Sequence, residues 1–277
     1  MEFRTIVDIP EPGFRIGPCE EMLFVGSCFA DSIGARFREE GFPVTVNPYG
    51  TMYNPASILH TIERWTTQGV RNRVQSNCTR FLTPCVVFLT LGTNHVYRLK
   101  ETGEIVDNCE KRPASLFQEE ELTVDECADY LQKVVTILRD KNPDVNIVLT
   151  VSPIRYRKYG YHGSQLSKAT LLLATRLVTG ISYFPAYEIV NDELRDYRFY
   201  VTDMLHPSQQ AVDYIWERLV DAYFSHEAKV FLEEWRPLKQ ALGHKPFDPD
   251  SEAYKALMDK TMLKLEELRE KYPTFAL

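Results

Sequence analysis

Residues 22–41 read MLFVGSCFADSIGARFREEG, and this stretch decides the architecture. Met22-Leu-Phe-Val25 is a short apolar run stopped by Gly26, which reads as a strand. Beyond it, Phe29, Ile33 and Phe37 recur at i, i+4 and i+8. That spacing predicts a helix from Phe29 to Glu40, with Gly41 as its C-terminal cap. A strand passing through a glycine turn directly into an amphipathic helix is the opening unit of an α/β sheet.

The same alternation continues for about 220 residues, as an α/β/α sandwich with a parallel sheet requires. Phe42–Val46 reads as a second strand, Asn47-Pro-Tyr-Gly50 as a turn-rich loop, and Asn54-Pro55 as the start of a helix reaching about Trp65. Cys85–Leu91 is apolar on both faces and β-branched, like a central parallel strand. Thr123-Val-Asp-Glu126 is a capping box opening a helix to Asp140. A strand over Val145–Val151 follows, then a helix over Ser164–Val178 whose apolar residues are Leu166, Leu171, Leu173 and Leu177. Ile181–Phe184 is a short apolar run, and Pro207 to about Phe224 is the next helix. From Ser225 the pattern changes to two charged amphipathic stretches, Glu227–Leu242 and Asp250–Tyr272. We therefore expect one sandwich over residues 1–225 and a helical extension over 226–277. The extension would cover an edge of the sandwich or make an oligomer contact such as a homodimer.

Composition narrows the function classes. The 277 residues are 44% hydrophobic and 26% charged, so a large core is available and disorder is not expected. A net charge of −7 argues against nucleic acid as the main partner, because phosphate binding needs a basic face. There is no 18-residue apolar run for a membrane span, and no basic segment leading into an apolar core as a secretory signal has, so the expected location is cytoplasmic. Cys19, Cys28, Cys78, Cys85, Cys109 and Cys127 are scattered without a C-x-x-C pair, so reduced thiols are expected, with Cys85 buried in its strand. Neither zinc nor any other cofactor is expected. The dinucleotide, P-loop, zincin and nucleophile-elbow motifs are all missing.

Polar residues at the carboxyl ends of the expected strands remain, and open α/β sheets bind ligands at that edge. Gly26-Ser27-Cys28 puts a hydroxyl at a helix N-terminus, where it either attacks a substrate or caps the helix. Gly92-Thr93-Asn94 puts a side-chain amide where it can donate to an oxyanion or make a turn. Asp203-Met-Leu-His206-Pro207 can fold so that the carboxylate orients the imidazole. Serine, asparagine and Asp-x-x-His, each at the mouth of an α/β unit, are more specific together than singly.

Gly26-Ser-Cys-Phe-Ala30 resembles the name-giving motif of the GSCFA family, placed in the SGNH (GDSL-like) hydrolase superfamily. Asn47-Pro-Tyr-Gly50, Tyr53-Asn-Pro55, Thr90-Leu-Gly-Thr93, Ser152-Pro-Ile-Arg155, Ser167-Lys-Ala169 and Asp203–Pro207 are similar to that family's segments as well. The resemblance implies a flavodoxin-like sandwich with about five parallel strands. It also implies serine ester hydrolysis: Ser27 as nucleophile, His206 as base, Asp203 as its orienter, and an oxyanion hole from the N–H groups of Ser27 and Gly50 with the Asn94 amide. The superfamily's G-D-S is G-S-C here, and reading its last residue as nucleophile selects Cys28 instead; Ser27 is the preferred assignment. The implied substrate is a small-molecule or glycan ester, with His95, Tyr97, Arg155 and Tyr156 as candidate contacts. A non-catalytic binder of an acylated glycan or lipid is the alternative. Thr67–Thr83 is short compared with relatives, which bears on one substrate wall.

Overall fold

A computed structural model describes residues 4–73 and 84–277, so Cys78 and most of Thr67–Thr83 lie outside the described residues. The strands in chain order are β1 (Met22–Gly26), β2 (Val44–Val46), β3 (Val86–Leu91), β4 (His95–Leu99), β5 (Ile105–Val106), β6 (Phe117–Glu121), β7 (Asn146–Val151) and β8 (Ser182–Tyr183). The helices are α1 (Cys28–Glu39), α2 (Pro55–Arg73), α3 (Val124–Lys141), α4 (Gly160–Thr175), the short α5 (Ala186–Glu188), α6 (Gln209–Tyr223), α7 (His226–Gly243) and α8 (Glu252–Lys271).

Five strands form one parallel sheet in the order β2-β1-β3-β7-β8. This is the flavodoxin-like order, with β1 and β3 in the middle and buried along their whole length. Because side chains alternate along a strand, the two faces carry separate cores. Met22, Phe24, Phe88 and Val148 pack with Phe37 of α1 and Trp216 of α6. Leu23, Val25, Leu89 and Leu149 pack with Ile62 of α2, Leu131 of α3 and Leu171 of α4. Aromatic contacts tighten the first core: Phe24 stacks on Phe88 at 4.9 Å, and Phe37 meets Trp216 edge-on at 4.7 Å.

Local chemistry explains the helix starts. Thr123 caps α3, and the capping box with Glu126 is formed in both directions. Thr123→Ala is therefore expected to cost about 1 kcal/mol, read as a lower urea midpoint at unchanged m-value. Asn54 accepts from the Ser57 N–H at 2.9 Å, as its place before Pro55 suggests. Gly41 has φ +81, and a Cβ there would lie 2.2 Å from the Phe275 ring. The turn after α1 thus needs glycine both for its backbone and for the approach of the chain end.

Three features differ from the sequence expectation. Residues 95–121 build a separate antiparallel sheet, β5-β4-β6, whose short strands bury few apolar side chains. Cys85 precedes β3 and is exposed rather than buried. Of the four leucines expected on α4 only Leu171 is buried: Leu166 and Leu173, and Leu177 beyond the helix end, are each 53% exposed, whereas Ser164, Ser167 and Lys168 are buried. The thiols of Cys19, Cys28, Cys85, Cys109 and Cys127 are free. No helix among the described residues is long and apolar enough to cross a membrane.

The last two helices join the first core. Phe231, Trp235, Leu265 and Leu268 are buried in the same cluster as Phe37 and Phe42. The Trp235 indole donates to Glu39 O at 3.1 Å and Lys239 pairs with Glu40 at 3.1 Å, so α7 closes the C-terminal end of α1.

Candidate active site

Pairing of Gly26 with Thr90 and of Leu91 with Val151 sets Gly26, Gly92 and Ser152 along the carboxyl edge of the sheet. Gly26 has φ +141, which turns the chain from β1 into α1. Asn47, from the loop after β2, accepts from the Gly26 N–H through Oδ1 at 2.9 Å and donates through Nδ2 to Asp31 at 2.8 Å. Ser27 is the N-cap of α1 and is fully buried. Its Oγ accepts from Phe29 N–H at 3.3 Å and shares a hydrogen bond with Thr90 Oγ1 at 3.1 Å. The Ser27 hydroxyl is thus held inside the protein, where a capping serine belongs.

Cys28 is the first residue of α1 and is half-buried. Burial pushes its thiol up to about 11, assisted by Asp31 and Asp203 and opposed by its own N–H and by Lys168. Asp31, Asp203 and Lys168 are therefore within electrostatic reach of the sulfur. Tyr53 and Tyr156 also feel its charge.

The Asp203–His206 loop folds as its sequence suggests. Asp203 Oδ1 accepts from the N–H groups of Leu205 at 2.7 Å and His206 at 3.0 Å, and Oδ2 contacts His206 Nδ1 at 2.6 Å. These contacts, the backbone ones first, bring the Asp203 carboxyl down to about 2. An ionised carboxylate on Nδ1 requires a proton there, which leaves Nε2 as the basic nitrogen. Arg155, beyond β7, braces the loop: its N–H donates to Leu205 O at 3.1 Å and its Nη1 to Met204 O at 3.0 Å.

The groups expected to donate to an oxyanion make the following bonds. Ser27 N–H donates to Thr90 O at 3.0 Å and Gly50 N–H to Asn47 O at 2.9 Å. Asn94, 2% exposed, donates through Nδ2 to Leu122 O at 2.7 Å. The backbone N–H groups of Ser27 and Gly50 are thus engaged, whereas the Asn94 amide has a second N–H beyond the one given to Leu122 O. Each of the three bonds satisfies a carbonyl of the same loop or of a neighbouring segment, as buried polar groups require.

Two other donors occupy this edge. Lys168 of α4 is buried and donates to Gly92 O at 2.6 Å and Ser152 O at 2.7 Å, tying the ends of β3 and β7 together. Burial brings its ammonium down to about 7. The Tyr156 hydroxyl is buried without a hydrogen-bond partner among the described residues. It lies 2.4 Å from where a Cβ on Gly92 would stand, so the missing side chain of Gly92 makes its room. Lys168 escaped the sequence reading because a lysine between leucines is ordinarily on the solvent side of a helix. Beside its place in the family-like Ser167-Lys-Ala169 segment, its signal is the set of small neighbours, Ser164, Ser167 and Ala174, that lets α4 approach the sheet.

The remaining candidates divide into two groups. His95 stacks on Tyr159 at 3.6 Å, and burial lowers its pKa. Tyr97 donates to Glu119 at 2.9 Å, and Lys158 pairs with the same carboxylate. Both therefore belong to the small sheet's charged cluster. Arg155 instead lies between the rings of Tyr161 and Tyr200, at 4.4 and 5.5 Å. With Gln165, Asn191, Arg195, Tyr197 and Tyr200 it lines a cleft of about 290 Å³ beside the Asp203–His206 loop.

Comparison with known proteins gives one family. The model of the GSCFA family matches residues 21–77 and 66–219, and that of the GSCFA domain protein C-terminal domain matches 235–277. A search of curated proteins finds no match. Among solved structures, the chain is similar to LAE5, an alpha/beta hydrolase from the metagenome of Lake Arreo, with 14% identity over 76% of this chain and 97% of the other, at a TM-score of 0.46. It is similar to the acetylxylan esterase Axe2 of Geobacillus stearothermophilus, with 14% identity over 76% and 98%, at 0.42. A lipolytic protein of the G-D-S-L family from Veillonella parvula gives 15% identity over 73% and 97%, at 0.44.

Proposed function

The chain belongs to the GSCFA family, and from its site geometry we propose that it is an acyl-ester hydrolase. The observation that carries this reading is the Asp203–His206 pair, in contact at 2.6 Å with the carboxylate on Nδ1. Binding alone has no need of a base held in one tautomer. His206 Nε2 takes the proton of a nucleophile from the Ser27–Cys28 pair, the nucleophile attacks the acyl carbonyl, and water completes hydrolysis with the same base. The cleft at Arg155, with Tyr197 and Tyr200 in its wall, suits a small acyl group on a polar alcohol such as a sugar.

A second reading is a non-catalytic binder of an acylated glycan or lipid on the same fold. It is favoured by one observation, that the backbone N–H groups of Ser27 and Gly50 are both spent on carbonyls. Turnover of 4-nitrophenyl acetate and of an acetylated oligosaccharide by the purified chain separates the two. The hydrolase reading expects release of acetate that His206→Ala abolishes. Saturable binding of the oligosaccharide with no release between pH 6 and 9 would select the binder.

A further inference from the structure

Ser27 and Cys28 compete for the role of nucleophile, and their surroundings differ. The Ser27 hydroxyl is fully buried, caps α1 and is bonded to Thr90. Cys28 opens α1, where the positive end of the helix dipole lies beside its sulfur. Burial holds its proton on, Asp31 and Asp203 add to that, and Lys168 acts in the opposite direction.

A separate observation points to a ligand at the same place. The Tyr156 hydroxyl, buried against Gly92 and within electrostatic reach of Cys28, has no partner among the described residues. A buried donor left without an acceptor is costly unless a ligand supplies one. Burial also holds this phenol protonated, as a donor must be.

We propose that Cys28 Sγ is the nucleophile and Tyr156 Oη the oxyanion donor of a cysteine-dependent acyl hydrolase; this rests on the hydrolase reading above and deepens it. The thiol proton passes to His206 Nε2 as sulfur bonds to the acyl carbon, and the carbonyl π electrons move to oxygen, which Tyr156 Oη stabilises. The carbonyl re-forms, the C–O bond breaks, and the alcohol leaves with the proton from His206. Water then attacks the thioester, giving a proton to His206. The C–S bond breaks, and the thiolate recovers that proton. Ester and water are consumed, and acid and alcohol are formed. Because the thiol rests at about 11, it is protonated at neutral pH and loses its proton during attack rather than beforehand.

The test is acid-quenched reaction of the full chain with 4-nitrophenyl acetate, followed by peptide mapping and steady-state kinetics. The expected result is acetyl on Cys28, released by neutral hydroxylamine. Cys28→Ala should lose the label and at least about 10³-fold in kcat. Tyr156→Phe should lose about 10²-fold in kcat with little change in KM. Ser27→Ala should melt at a lower temperature yet still acylate Cys28. Acetyl on Ser27, or Cys28→Ala turning over like the wild type while His206→Ala is dead, overturns the thiol assignment and leaves the hydrolase. Absence of both turnover and acylation overturns the two together. Wild-type kcat in a folded Tyr156→Phe removes the oxyanion role.

Discussion

Asp203→Asn is expected to lower kcat for a short-chain aryl ester by about 10³–10⁴-fold while the chain stays folded, and His206→Ala by at least as much. Asp203 Oδ1 is held by two backbone N–H groups, so an asparagine oxygen would keep that position. Its NH₂ group would then face His206 Nδ1, where a carboxylate oxygen now sits at 2.6 Å. A donor there reverses the tautomer, and Nε2 carries a proton instead of accepting one. With the Asp203 carboxyl brought down to about 2, it is ionised across the whole neutral range, where it holds the proton on Nδ1. The defect should therefore persist across the whole neutral range, and a rate recovered at high pH would not fit it. Circular dichroism and kcat measured on the same samples check the result. An Asp203→Asn enzyme with wild-type kcat would remove the base from the mechanism.

Gly26→Ala is expected to destabilise the fold by about 3–5 kcal/mol, a large share of the roughly 5–15 kcal/mol that holds a domain together. A Cβ at this φ of +141 would lie 2.2 Å from Thr90 O, 2.6 Å from Thr90 Oγ1 and 2.9 Å from Thr90 C. Two of these atoms are backbone of β3, paired in register with β1, so relief means breaking the central strand pair. Gly50→Ala is the control. Its φ is +95 with nothing within 4 Å of the added atom, so only backbone strain of about 1–2 kcal/mol is expected. Urea midpoints of the two variants give the comparison. Equal midpoints would contradict the Gly26 geometry.

Much of the fold was legible because it follows from short-range rules. Apolar runs stopped by Gly26 and Gly92 became β1 and β3, and Thr123 with Glu126 became the cap of α3. The Asp203–His206 loop was legible for the same reason, since its carboxylate bonds groups only two and three residues away. The small β5-β4-β6 sheet was not, because strands of two to five residues with few buried side chains leave almost no periodic signal.

The sequence by itself determined the order of the units and which residues reach the carboxyl edge of the sheet. Tertiary structure alone decided what those residues are free to do there. Ser27 is a cap rather than an exposed hydroxyl because Thr90, 63 positions away, engages it. Asn94 is tied in place because Leu122 O comes within 2.7 Å of its amide nitrogen. Lys168 is buried because Gly92 O and Ser152 O need a donor where α4 crosses the strand ends. A chemical role depends on which partners remain unsatisfied after packing, and packing pairs groups that lie far apart along the chain.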